Sequence, residues 1–231
     1  MAISVNKVYR TVLSIMNKEG RGFLTPDQFN RIGRQVQLDL LEKAFFDYNK
    51  ALNKEKGNIT NNGYADIPKN IKEKIDIFSK EAALSINTGV ASVPSDLYRV
   101  INISTTNRTI NIDETSKSEI SYINSSKLTA PTSSYPVYYR EAGNIKLFPT
   151  SISSATIDYI KIPADPAWNF TSGSNGSYSY NSSTSVNFEL HESDEVDLVV
   201  KILGYAGVVI KDPTVIQVAS NEESKIIQLE N

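Results

Sequence analysis

Residues 193–213 read SDEVDLVVKILGYAGVVIKDP, and their pattern decides the fold class. Ser193 is a helix-capping residue type. Asp194, Glu195 and Asp197 fall in the first turn that follows, and Lys211 lies at the far end, so both ends carry the sign that suits a helix dipole. Val196, Val199, Val200, Ile202, Leu203, Ala206, Val209 and Ile210 make the segment apolar nearly all round, which predicts a buried helix. Asp212–Pro213 breaks it and can start a last helix, with Val215, Ile216, Val218 and Ala219 in its first turns. A buried helix needs elements packed around it. The residues just before this one are strand-like, so its helical partners must come from the other end of the chain.

They are legible there. Val5, Val8, Tyr9, Val12, Ile15 and Met16 recur at helical spacing and predict a helix over about residues 3–17. A second runs from Pro26 to about Leu52, with Phe29, Ile32, Val36, Leu40, Ala44, Phe45, Tyr48 and Leu52 as its inner face and Arg31, Arg34, Lys43 and Lys50 between them. The two form an antiparallel pair. Their joint, NKEGRGFLTPDQF (17–29), can be laid against a calcium loop. Asn17, Glu19 and Arg21 then fall at the first three ligand positions, Gly22 at the turn and Gln28 at the twelfth. Charge rejects that reading, because Gln28 is neutral, Arg21 is a cation and only Glu19 is a carboxylate. Local helix chemistry explains more residues. Gly20 and Gly22 end the first helix, Thr25 caps the second, Pro26 takes its first position and Gln28 completes a capping box. Leu24 and Phe29 are placed as a hydrophobic staple. Residues 53–66 are a polar, turn-rich connector, and a short third helix starts near Pro68 with Ile71, Ile75, Phe78 and Ala82 in register.

From about residue 83 the period becomes strand-like. LYRVINIS, TINID, PVYYR, IKLFP and ATIDYIKIP are strand candidates, and VYYREAGNIKLFP reads as a hairpin turning at Glu141–Asn144. SKSEISYINSS is a short helix between strands. Residues 171–185, TSGSNGSYSYNSSTS, lack large aliphatics and predict a flexible arm whose only large side chains are Tyr178 and Tyr180. The expected fold is therefore α+β. Residues 1–82 and 191–231 make a helical bundle, and residues 83–190 an inserted antiparallel β-sandwich or barrel lobe bearing the 171–185 arm.

Composition narrows function. The 231 residues include no cysteine, which removes disulfides, thiolate chemistry and cysteine zinc sites. The start, MAISVNKVYRTVL, carries no signal-peptide pattern, and no segment has the length of a membrane span. The Asn-x-Ser/Thr triplets at Asn58, Asn102, Asn107, Asn124, Asn169, Asn175 and Asn181 are read as compositional chance. Residues 1–80 hold 14 Lys+Arg against 9 Asp+Glu, and residues 81–231 hold 10 against 17. That asymmetry suits head-to-tail self-association as well as an uneven solvated surface, and neither half has a dense basic run for gripping phosphates.

Catalytic patterns are missing. There is no nucleophile elbow, P-loop or dinucleotide fingerprint. His191, the one histidine, lies beside acids before a helix and reads as a local hydrogen-bonding partner. Glu192, Asp194, Glu195 and Asp197 read as dipole compensation. Trp168, in PADPAWNF, either covers an edge of the β core or offers a platform for stacking a sugar. No catalytic, cofactor-binding or metal-binding residue is assigned, and the chain is read as a non-enzyme.

The succession VPSDLYRVINI, EISYINSSKLTAPTSSYPVYYREAGNIKLFP, TIDYIKIPADPAW, SVNFELHES and a helix ending GVVIKDP resembles the tail-adaptor or head–tail connector ring proteins of short-tailed bacteriophages. The NKEGRGFLTPDQFN block is most similar to the version in crAss-like phages. The resemblance spans nearly the whole chain as a series of short motifs, none of them catalytic. It implies a virion protein, assembled in the host cytoplasm, that closes into a ring, typically a dodecamer, around the DNA channel. Its partners would be itself, the portal protein and other tail or ring proteins, with double-stranded DNA passing through the lumen without specific binding and with no membrane. The alternative is a carbohydrate- or receptor-binding virion protein acting through the β lobe and Trp168.

Overall fold

The structure, a computed structural model, describes residues 2–18, 24–57, 67–172, 178–210 and 213–229. In chain order the elements are α1 (Val5–Lys18), α2 (Pro26–Gly57), α3 (Ile67–Asp76), β1 (Ser79–Ser85), β2 (Val90–Ser92), β3 (Leu97–Thr105), β4 (Asp113–Glu114), α4 (Lys117–Ser125), β5 (Val137–Glu141), β6 (Asn144–Phe148), β7 (Ser154–Lys161), β8 (Phe170–Ser172) and β9 (Tyr178–Tyr180). A 3-10 turn (Glu192–Asp194), α5 (Glu195–Ile210) and α6 (Pro213–Leu229) complete the chain. The protein is mixed α+β. It divides into two compact units, Met1–Ile77 with Pro163–Asn231, and Phe78–Ile162. Glu19, Arg21 and Gly22 of the rejected calcium-loop alignment, helix-ending Gly20, connector residues 58–66, arm residues 173–177, Lys211 and Asp212 lie outside the described residues.

In the first unit both ends of the chain fold together. The capping reading of α2 holds in detail. The Gln28 backbone N–H donates to Thr25 Oγ1 at 3.3 Å, and the Thr25 N–H donates to Gln28 Oε1 at 3.1 Å. Leu24 and Phe29 are both fully buried, as a hydrophobic staple requires. Val5, Val8, Tyr9, Val12 and Met16 form the buried stripe of α1, while Ile15 is exposed. α2 is 32 residues long. Its full burial, through Phe29, Val36, Gln37, Leu40 and Leu41, stops at Leu41; Ala44, Phe45, Tyr48 and Leu52 are only half-buried. Gly33 lets Phe188 approach α2, since a Cβ there would lie 3.1 Å from the Phe188 ring.

The third helix ends at Asp76, short of the register residues Phe78 and Ala82, because the chain turns into β1. Phe78 and Ala82 are therefore not on that helix. Residues 79–85, SKEAALS, alternate only weakly and contain good helix formers. Their strand state is imposed by antiparallel pairing with β7 from Ser79↔Ile160 to Ser85↔Ser154, a case of tertiary context overriding propensity.

In the second unit, β1–β7–β3 form one sheet and β2–β6–β5–β4 another. Pairings are antiparallel except β4 with β5, which is parallel. Of the TINID candidate (109–113) only Asp113 is in a strand, the two-residue β4. The two sheets share one hydrophobic cluster, with Leu84, Ile103, Ala155, Ile157 and Tyr159 from the first and Ala91, Tyr138, Ile145 and Leu147 from the second. Among the described residues the strands do not close into a barrel. The β5–β6 hairpin turns at Ala142–Gly143, both at positive φ (47° and 76°), between paired Glu141 and Asn144. Two consecutive positive φ values make the type I′ geometry that matches strand twist.

The boundaries differ from those read off the period. The β unit starts at Phe78 rather than residue 83 and ends at Ile162 rather than residue 190. Residues 163–190 belong with the helices. They are extended and aromatic, so their pattern is strand-like, but their hydrogen bonds run to α1 and α2 side chains.

Candidate functional site

The acids at 194–197 meet three helices. Asp194 pairs with Lys74 of α3 at 2.6 Å, Glu195 with Lys7 of α1 at 2.8 Å, and Asp197 with Lys43 of α2 at 3.5 Å. One turn thus takes a lysine from each N-terminal helix. This resolves the charge asymmetry differently from head-to-tail association between lobes. Residues 1–77 hold 13 Lys+Arg against 9 Asp+Glu, and residues 163–231 hold 3 against 10, but both segments are in the same unit. The inserted unit is nearly neutral, with 8 against 7. Lys7, Arg34, Lys43 and Lys74 of the first segment pair with Glu195, Asp165, Asp197 and Asp194 of the second, inside one subunit. Glu192 is exposed and makes no ion pair among the described residues.

His191 has the local role expected of it. It caps the 3-10 turn, its Nδ1 accepting from the Ser193 N–H at 3.2 Å. Ser193 sits inside that turn and is not the cap of α5, because the helix is preceded by a tighter turn that shifts its start to Glu195.

Trp168 is 5% exposed. Its ring lies 4.4 Å from Tyr9 of α1, centroid to centroid, and 5.7 and 5.9 Å from Tyr180 and Phe170 of the β8–β9 ribbon. Its Nε1 donates to Asn6 Oδ1 at 3.1 Å. It covers helices rather than an edge of the β core, and it has no open face on which a sugar could stack. Burial pushes the Tyr9 hydroxyl up to about 12, with Tyr178 adding to the shift. Within the 171–185 arm, residues 171–172 end β8 and 178–180 form β9, paired from Phe170↔Tyr180 to Ser172↔Tyr178, and a turn follows over 182–184.

Sequence reading missed a set of amides on α2 and beside α1. Asn30 brackets the Trp168 peptide, accepting from its N–H at 2.7 Å and donating to its carbonyl at 3.4 Å. Seven residues on, buried Gln37 donates to the Ala164 carbonyl at 2.8 Å and accepts from the Glu189 N–H at 2.9 Å. The Glu189 carboxylate accepts from the Ala164 N–H at 2.8 Å, which closes the loop. These side chains stand in for a neighbouring strand, satisfying extended backbone that has no sheet to join. The available signal was two amides on one helix face, at i and i+7.

Polar clusters of the β unit are also internally matched. Asp96 accepts from Lys80 at 2.7 Å and from Tyr159 at 2.8 Å, contacts that hold its carboxyl below the usual range. Arg108 bridges Glu81 and Asp158. Glu141 accepts from Lys117 and Lys146, which hold it down to about 2. Burial pushes Tyr138 up to about 12, with Glu114 beside it adding to the effect.

Among the described residues no group of three or more His, Asp or Glu side chains is placed to hold a metal ion. Among the described residues no helix is long and apolar enough to cross a membrane. A depression of about 390 Å³ along α6 is lined by Val218, Asn221, Glu222, Ser224 and Lys225; among the described residues one helix supplies the lining.

What stands outside is apolar. Leu128 is 93% exposed, Tyr135 81%, Tyr122 78%, Phe46 69% and Val196 65%. Val196 corrects the expectation that α5 is buried all round. Leu198, Ile202 and Ala206 form its buried face, whereas Val199, Val200 and Leu203 are half-buried. No protein-family model matches the chain, and no curated protein matches it.

Proposed function

We propose that this chain is a structural virion subunit that closes into a ring in the bacteriophage head–tail connector or tail, linking portal to tail around the DNA channel. The observation that carries the reading is a contrast. The polar clusters described in both units are matched by bonds within the subunit, whereas large apolar side chains are held in water. A site for chemistry needs the reverse: unsatisfied or strongly perturbed polar groups gathered in a cleft. Exposed apolar groups of this size are a resource for assembly.

The succession of motifs from VPSDLYRVINI to GVVIKDP supports the same reading, as does a bundle-like helical unit made from both ends of the chain with a sandwich-like β unit inserted. A ring arises when a heterologous contact closes by rotation. A conduit for DNA also works best without tight phosphate contacts, which would hold the duplex in place. Support for a carbohydrate-binding role is weaker, because Trp168 is enclosed by Tyr9, Phe170 and Tyr180.

The test is the mass of the purified chain by light scattering over a concentration series, alone and with the portal protein. The reading expects a discrete oligomer in at least one condition. A monomer in all of them overturns it.

A further inference from the structure

Between β4 and β5 the chain makes an excursion, residues 115–136, that carries Tyr122, Leu128 and Tyr135. It is ordered by its own bonds. Ser116 and Glu119 form a reciprocal capping box on α4. Past the helix, Thr129 Oγ1 donates to the Ile123 carbonyl at 2.9 Å, the Ala130 N–H donates to the Ser126 carbonyl at 2.9 Å, and Thr132 and Tyr135 exchange backbone bonds. The excursion is therefore fixed, yet it buries none of its three large exposed side chains. Holding Leu128 out on ordered backbone removes much of the entropy cost of docking it.

Next to Leu128 is Lys127. It is exposed and has no ion-pair partner among the described residues, whereas Lys117 in the same excursion is committed to Glu141. The acidic turn presents the complement. Three of its four acids are matched by lysines within the unit, and Glu192 is the one left over. One turn on from Glu192 is Val196, the most exposed apolar side chain of α5, with half-buried Val199, Val200 and Leu203 continuing the stripe at helical spacing. Each copy thus carries a cation beside a protruding leucine, and an anion beside an apolar helical stripe.

We infer that the occupant of the α5 stripe is a second copy of this chain: Leu128 of one subunit seats beside Val196 of the next, with Lys127 against Glu192. The two patches are different surfaces, so the contact is heterologous and leaves a free acceptor on one subunit of the pair and a free donor on the other. The inference rests on the ring reading and supplies its contact.

The test is sedimentation of full-length wild type and three variants, Leu128→Asp, Lys127→Glu and Glu192→Lys, in low salt. All three positions are exposed, and circular dichroism checks that each variant keeps the wild-type fold. Like charges brought together across the contact should weaken self-association about tenfold or more in each charge reversal, and Leu128→Asp should do the same by placing a charge on the stripe. Mixing Lys127→Glu with Glu192→Lys should restore assembly, because every contact in an alternating mixture again pairs Lys or its replacement with the opposite sign. Wild type that assembles while all three variants and the mixture match it overturns this contact and leaves the ring reading standing. Wild type that stays monomeric with and without the portal protein overturns both.

Discussion

At residue scale, the first unit depends on polar side chains acting as backbone partners. Gln37 is 2% exposed and closes a three-way bond system with Ala164 and Glu189. Gln37→Leu keeps the volume but takes a partner from the part-buried Ala164 carbonyl and Glu189 N–H, and should cost on the order of 2 kcal/mol. A urea titration measures this; a loss below about 1 kcal/mol would mean water replaces the amide. Glu141 sets a different expectation. Its carboxyl is held at about 2 in the fold by hydrogen bonds from Lys117 and Lys146, against 4.5 when unperturbed. A depressed carboxyl favours the fold above the unperturbed value, and that contribution drains away as pH falls through the window from 4.5 towards 2. Glu141→Gln should flatten the acid limb of the stability curve in that window, and added salt should do the same to wild type, since the group is at the surface. An unchanged acid limb in the variant would remove the assignment. Residue roles of this kind were only partly legible. His191 as a local hydrogen-bonding partner follows from its lack of companions, but Gln37 gives no signal until the chain from 164 to 189 is laid against α2.

At element scale, the parts that local chemistry governs were readable and those that tertiary pairing governs were not. Thr25, Pro26 and Gln28 specify the start of α2 by themselves; Thr25→Ala should cost about 1 kcal/mol, read as a lower melting temperature. The Ala142–Gly143 turn is readable from the alternation around it. Ala142 sits at φ 47°, a conformation that Asn tolerates better than Ala, so Ala142→Asn should stabilise the β5–β6 hairpin by about 0.5 kcal/mol. A destabilised variant would contradict the type I′ geometry. β1 was hidden because its residues favour helix and only β7 makes them a strand. The partial exposure of α5 was hidden because composition does not reveal how many neighbours a helix has. Trp168 reads as a buried aromatic from sequence, but not as one buried against α1, whose Asn6 and Tyr9 are over 150 residues away in sequence.

At the scale of the whole molecule, the return to helix after a long β segment made the inserted architecture legible. The exact seams were not, since the segment after Ile162 has a strand-like pattern but joins neither sheet of the β unit. Because the two units have separate cores, the β unit should be removable. A chain joining Ile77 to Pro163 through a short Gly/Ser linker should keep a cooperative helical transition by circular dichroism; loss of that transition would mean the helices need the insertion to fold. The ring itself is tested most directly by electron microscopy of the purified full-length chain, alone and mixed with the portal protein, averaged in end-on views. The expected result is a closed annulus of identical subunits around an open centre. Solitary particles of one subunit under both conditions would contradict it.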